Sequence, residues 1–296
     1  MKRIASLLPL LVVFLFTACS EEPDEIIACG DDQVIIIDRN KSADTNVIIT
    51  WKWKVSEIAD LPGAYQKYMR STDECKPVDG NKKILIASSS GGVVLADRKT
   101  KQSLFYAHVP NAHSAELLPD NRIIVALSTA EKGNCIQLFD IGTPEKMIWQ
   151  DSLYSGHGVV WMPRYQRLFA LGYDELRSYS LKDWNTYSPG LEPEKKWILP
   201  DNGGHDLNNV SDTKLIISTH NSVWVFDIPG EQFHEFEPLR EVRDVKSVNY
   251  NESTGELVYT KGEISWWTHN IYSRNPDKIF TVPGIDLYKA RVISRN

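Results

Sequence analysis

A β-branched run ending in aspartate recurs along this chain and limits what it can fold into. Residues 34–38 read VIIID, 93–97 VVLAD, 136–140 IQLFD and 223–227 VWVFD. Runs so short and so rich in β-branched residues form strands rather than helices. Ahead of most of them lies a second apolar run, at residues 84–87, 123–127, 168–171, 215–218 and 257–260. Turns such as Pro119-Asp120-Asn121 and Ser253-Thr254-Gly255 precede these second strands, and a weaker strand precedes each turn.

Aligning the turns brings Lys76, His113, His157, His205, Lys246 and Lys289 to one place in the weak strand, with successive separations of 37, 44, 48, 41 and 43 residues. Four strands repeated at that period make a propeller blade. The fold expected is therefore all-β, a six-bladed β-propeller. Five units are complete, whereas the last, residues 285–294, supplies only one strand. Residues 26–29, 34–38 and 47–53 can complete it, so that N- and C-terminal strands close the last blade and the ring keeps no open edge. Between them and the next blade, residues 55–72 read as an insertion of helical composition around Leu61-Pro62-Gly63.

Met1, Lys2 and Arg3 followed by an apolar stretch to Phe16 read as a signal peptide, too short to span a bilayer. Thr17-Ala18-Cys19 resembles a bacterial lipobox, with Phe16 where that pattern prefers leucine, and the resemblance implies lipidation of Cys19. The expected division is 1–18 signal peptide, 19–25 lipidated tether and 26–296 a single propeller domain. The acidic tether resembles the surface-export signal of Bacteroidetes lipoproteins. It implies an outer-membrane lipoprotein in the cell envelope, periplasmic or surface-exposed, touching the membrane through its lipid anchor only. Of 33 basic residues two lie in the leader, which leaves −8 against 39 acidic ones and excludes bulk attraction to nucleic acid. Beyond Cys19 the cysteines are Cys29, Cys75 and Cys135, an odd number that allows one disulfide at most and offers no zinc-type pair. A monomer is expected.

In a propeller the innermost strand starts near the channel mouth, so the six aligned positions should converge there. Three of the chain's seven histidines share that register. Neutral imidazoles of His113, His157 and His205 could hold one divalent metal, zinc, manganese or calcium, or serve as acid and base. Asp206 would orient an imidazole. Lys76, Lys246 and Lys289, with Arg291, would bind the carboxylate, sulfate or phosphate of an acidic oligosaccharide or other small anion. A purely structural reading also exists. The pairs Gly156-His157 and Gly204-His205 resemble those of WD-repeat propellers, where the histidine bonds within its blade. Yet His113 lacks the glycine, and lysine cannot stand in for a histidine that accepts a hydrogen bond. His108, His220, His234 and His269 share no register and read as surface or blade-edge residues. Trp161, Trp224, Trp266 and Trp267 read as packing between blades. Asp244, Glu116 and Asp286 lie near the ring in sequence, as acid–base groups or as ion-pair partners of the lysines.

HSAELLPD (113–120), HGVVWMP (157–163), ELRSY (175–179), GGHDL (203–207), KSV (246–248) and YKAR (288–291) together resemble a family of bacterial six-bladed propeller lipoproteins known only as a domain of unknown function. That resemblance spans nearly all of the mature chain and implies the fold, not an activity. His113, His157 and His205 are more distantly similar to the cluster of propeller oligogalacturonate lyases, which hold a metal with histidines and abstract a proton beside a uronate carboxylate. The likeness reaches only those three residues. Three readings follow: a metal-assisted lyase or hydrolase acting on an acidic glycan, a non-catalytic binder of an anionic glycan or metabolite, and a structural or interaction propeller.

Overall fold

The apolar runs become the second and third strands of four-stranded antiparallel sheets, and six such sheets hold all the named strands among the described residues. The computed structural model describes residues 24–293, so the expected leader and the expected lipidation of Cys19 lie outside it. Blade 1 runs from the inner strand Thr72–Val78 through Lys83–Ser88 and Gly92–Asp97 to Ser103–His108. Blades 2 to 5 repeat that order from the inner strands Ala112–Leu118, Gly158–Met162, Asp206–Ser211 and Val245–Asn251. Blade 6 takes its inner strand, Leu287–Ile293, from the end of the chain and its other three, Glu25–Gly30, Gln33–Asp38 and Ile49–Lys54, from the beginning. Pairing of Glu25–Gly30 with Leu287–Ile293 closes the ring as the sequence implies.

Each sheet buries both faces against its neighbours, so the strands read as near-continuous apolar runs. Six buried apolar clusters result, one at each junction between adjacent blades. The junction of blades 6 and 1 also takes up the insertion, whose short helix Tyr65–Tyr68 sets Tyr65, with Leu61 and Met69, against Trp53 and Ile86. Cys29, Cys75 and Cys135 are buried free thiols. No helix among the described residues is long and apolar enough to cross a membrane.

Candidate functional site

A β-bulge at the start of the inner strands decides which side chains reach the channel. Bulging inserts one residue against the partner strand and lets two consecutive side chains turn the same way. The inserted residue is His113 in blade 2, Lys246 in blade 5, Asp73 in blade 1 and Tyr288 in blade 6, each lying between two residues that stay paired. His157 and His205 stand at the same level, directly before their strands, with backbone N–H groups donating to Leu171 and Ser218 at 2.9 and 2.8 Å. The level is therefore Asp73, His113, His157, His205, Lys246 and Tyr288. Lys76 and Lys289 do not belong to it, a correction to the sequence register. Lys76 lies three residues deeper, opposite Leu85, and Lys289 one residue deeper, opposite Cys29.

Around this mouth the imidazoles pack against one another, one pair stacked and one edge to face. His113 stacks on His157 with centroids 4.4 Å apart, and His157 meets His205 at 5.8 Å. The Nδ1–H of His157 is placed to donate to the Ser155 carbonyl at 2.9 Å, which leaves its Nε2 as a lone pair. His205 Nε2 lies 3.0 Å from both Lys246 Nζ and His220 Nδ1. Burial is the first cause that drives all three ring histidines towards the neutral form, reinforced by Lys246 and Lys289. It holds His113 and His205 well below the ordinary value and His157 down at about 4. Burial also lowers Lys246 to about 8 despite Asp244 at 3.6 Å, and raises Asp73 to about 7. Asp73 Oδ1 lies 3.8 Å from His113 Nδ1.

Two residues read as peripheral from the sequence belong here. His220 follows the second strand of blade 4 and meets His205 edge to face at 4.6 Å, so it is part of the mouth rather than a blade edge. Trp266 is 53% exposed, with Lys246 Nζ 4.9 Å from its ring, so it roofs the mouth instead of packing between blades. Tyr154, 58% exposed, and Tyr173 extend this aromatic rim towards His220. His269 is tied to Asp286 at 3.0 Å.

Beneath the mouth the channel is closed by charges that satisfy one another. Arg291 reaches Glu74 through Nε and Nη2 at 2.9 and 2.8 Å, and Asp206 through Nη1 and Nη2 at 2.7 and 2.6 Å. Lys289 Nζ lies 3.1 Å from Asp206 and 3.6 Å from Glu74, and donates to the His113 and His157 carbonyls. Burial opposes ionisation of Glu74, but Arg291 and Lys289 prevail and hold it at about 2. Asp206 thus pairs with cations and orients no imidazole, while Lys289 and Arg291 are already engaged by carboxylates. Lys76 serves the far side, bonded to Glu116 at 2.9 Å and to the Val159 carbonyl at 2.5 Å. Of the cations expected around a ligand, only Lys246 stands at the histidine mouth. Nor do His113, His157 and His205 converge as a metal trio: the first two stack on each other, and the group whose ligand atoms meet is His205, His220 and Asp244.

A cavity of about 930 Å³ opens at the opposite mouth between Lys76, Glu116, Trp161, Asn208, Asn249 and Arg291. Its size does not make it the better site. Asn208 donates to the Val248 carbonyl and to Asn249, and Asn249 donates to the carbonyls of Val258 and Ala290, so these amides pin blades together. The unengaged chemistry lies at the histidine mouth.

Fold and mouth together define a closed six-bladed β-propeller with a cluster of packed imidazoles at one mouth of its channel. The chain belongs to the family of unknown function DUF6528, whose model matches residues 20–296. No curated protein matches the sequence closely.

Proposed function

We propose that the protein binds a carboxylate-bearing saccharide at the histidine mouth, with Lys246 as the cation for the carboxylate and the neutral imidazoles as proton-transfer groups. The observation that carries this reading is a single lysine, 1% exposed, set among imidazoles beneath an exposed tryptophan. A buried ammonium held near its neutral form gains most from an anion brought to it, and an aromatic rim with a few convergent polar groups is the usual make-up of a small-molecule site. Arrival of a carboxylate would also raise the imidazole pKa values. His157, whose Nε2 lone pair is free, would then become a stronger base for removing a proton next to that carboxylate. This supports a lyase. A receptor that binds the same acid without reaction uses the same contacts, and product analysis separates the two.

The chain enters the propeller at Asp24, which lines the cavity of the opposite mouth. If Cys19 carries a lipid, the tether would hold that face to the membrane and present the histidine mouth outward, as a surface or periplasmic lipoprotein acting on glycans requires.

The test is calorimetric titration of the purified protein with galacturonate and its oligomers, with galactose as the uncharged control. Saturable binding of the acids alone, lost in Lys246→Met, is expected. New absorbance at the unsaturated-uronate band on incubation with the oligomers would identify the lyase. Equal binding of galactose, or acid binding that survives Lys246→Met, would overturn the assignment.

A further inference from the structure

We infer that His205, His220 and Asp244 form a binding site for one divalent transition-metal ion. His205 Nε2 and His220 Nδ1 lie 3.0 Å apart, His220 Nδ1 and Asp244 Oδ1 3.8 Å apart, and all three atoms lie within 4.8 Å of one another. Metal–ligand bonds of about 2.0–2.2 Å put neighbouring ligand atoms roughly 3.0–3.5 Å apart, so the nitrogens are already in place and the carboxylate needs a small shift.

The backbone assembles these groups. The Asp244 N–H donates to the His220 carbonyl at 3.0 Å, and the His220 N–H to Asn202 at 3.3 Å, which ties the loop before blade 5 to the loops around His205. Asp244 takes a left-handed backbone with φ 55°, a turn conformation that aspartate tolerates. Gly203, at φ 72°, leaves the room His220 fills, since a Cβ there would stand 1.8 Å from His220 Cδ2.

The donor atoms already share one cation. Lys246 Nζ lies 3.0 Å from His205 Nε2 and 3.6 Å from Asp244 Oδ1, so their lone pairs face the same place. A metal would take that place, and the long lysine stem would let the ammonium withdraw along the Trp266 ring. Two imidazole nitrogens with one carboxylate suit zinc and its neighbours, whereas calcium and magnesium prefer shells of oxygen. Three protein ligands leave positions open for water or a carboxylate. The inference rests on the ligand reading above only for what fills those positions.

Chelator-treated protein is titrated with zinc, and separately with calcium, without saccharide at neutral pH. One zinc per chain is expected, bound about tenfold or more weakly by His220→Ala and by the near-isosteric Asp244→Asn, each checked by thermal melting. His113→Ala should bind as the parent does. Lys246→Met, which removes the competing cation, should bind zinc more tightly while losing galacturonate, so failure of one reading is distinguishable from failure of the other. Absence of saturable zinc binding, equal affinity in His220→Ala and Asp244→Asn, or calcium bound as tightly as zinc would each overturn the site.

Discussion

Replacing Lys289 by methionine is expected to cost far more stability than replacing Lys246, although both lysines are at most 1% exposed. Lys289 is one of two cations facing two carboxylates, and its removal leaves Glu74, Asp206 and Arg291 with a net negative charge out of water. Breaking such a buried arrangement costs about 3–5 kcal/mol, or roughly 6–15 °C in melting temperature for a chain of this size. Lys246 differs in sign. Its folded pKa of about 8 lies below the unfolded 10.5, so its ammonium is disfavoured by folding at every pH below 8. At pH 7 that amounts to about 3 kcal/mol, a penalty that fades as pH rises from 8 towards 10.5. Methionine keeps most of the stem packing and removes the penalty, so Lys246→Met should lose no more than about 1 kcal/mol and can gain. Urea denaturation at pH 7, followed by tryptophan fluorescence, measures both. A Lys289→Met protein as stable as the parent would refute the charge-locked channel, and equal losses in the two variants would refute the distinction between them.

Acid should loosen the fold through the ring histidines. Their folded pKa values lie below the unfolded 6.5, so their contribution is full above 6.5 and is lost as pH falls towards about 4, the value for His157. Asp73, raised to about 7, slopes the other way and offsets about one of the three histidines, leaving the net effect of acid unfavourable. The melting temperature at pH 5 should therefore lie below that at pH 7.5, and the reverse order would contradict the buried neutral imidazoles. Deleting everything after Pro283 removes the strand Leu287–Ile293 with Lys289 and Arg291, and should abolish cooperative unfolding; a truncated chain melting like the parent would refute closure of the ring. Gly203→Ala should displace His220 and weaken zinc binding, with a stability cost of about 1–3 kcal/mol; zinc affinity equal to the parent's would show that His220 is not a ligand.

The blades were legible because a blade is local. Second strands pair with the strands just before and just after them in sequence, so short apolar runs at steady offsets suffice, as in 123–127 and 136–140. Closure was legible by counting, since one end of the chain lacked the strands that the other had in excess. The inner-strand register was only partly legible. It is fixed by bulges, which leave no residue signature, and the expectation slipped by three residues at Lys76 and by one at Lys289. His220 carried a signal that went unread. It stands two residues beyond Ser218, the cross-strand partner of Asp206, and the end of a second strand lies beside the start of its inner strand. A histidine there had to open on the same mouth as His205. The hydrogen bonding of Lys289 and Arg291 had no such marker, because their carboxylate partners come from blades 1 and 4, distant in sequence.

The charge lock closes the channel beneath the histidine mouth. Glu74, Asp206, Lys289 and Arg291 sum to zero, so they can remain buried without a counter-ion, and their hydrogen bonds bridge blades 1, 4 and 6 across the axis. The network therefore forms a floor directly beneath the imidazoles. That floor also acts electrostatically, since Lys289 adds to the burial that keeps His113, His157 and His205 neutral. Neutral imidazoles are the form that accepts a proton or ligates a metal, whereas imidazoliums crowded at 4.4 Å would repel each other and do neither. The element that closes the channel is thus also the element that keeps the mouth chemically available, and the carboxylate of the proposed saccharide would be the charge best suited to change that state.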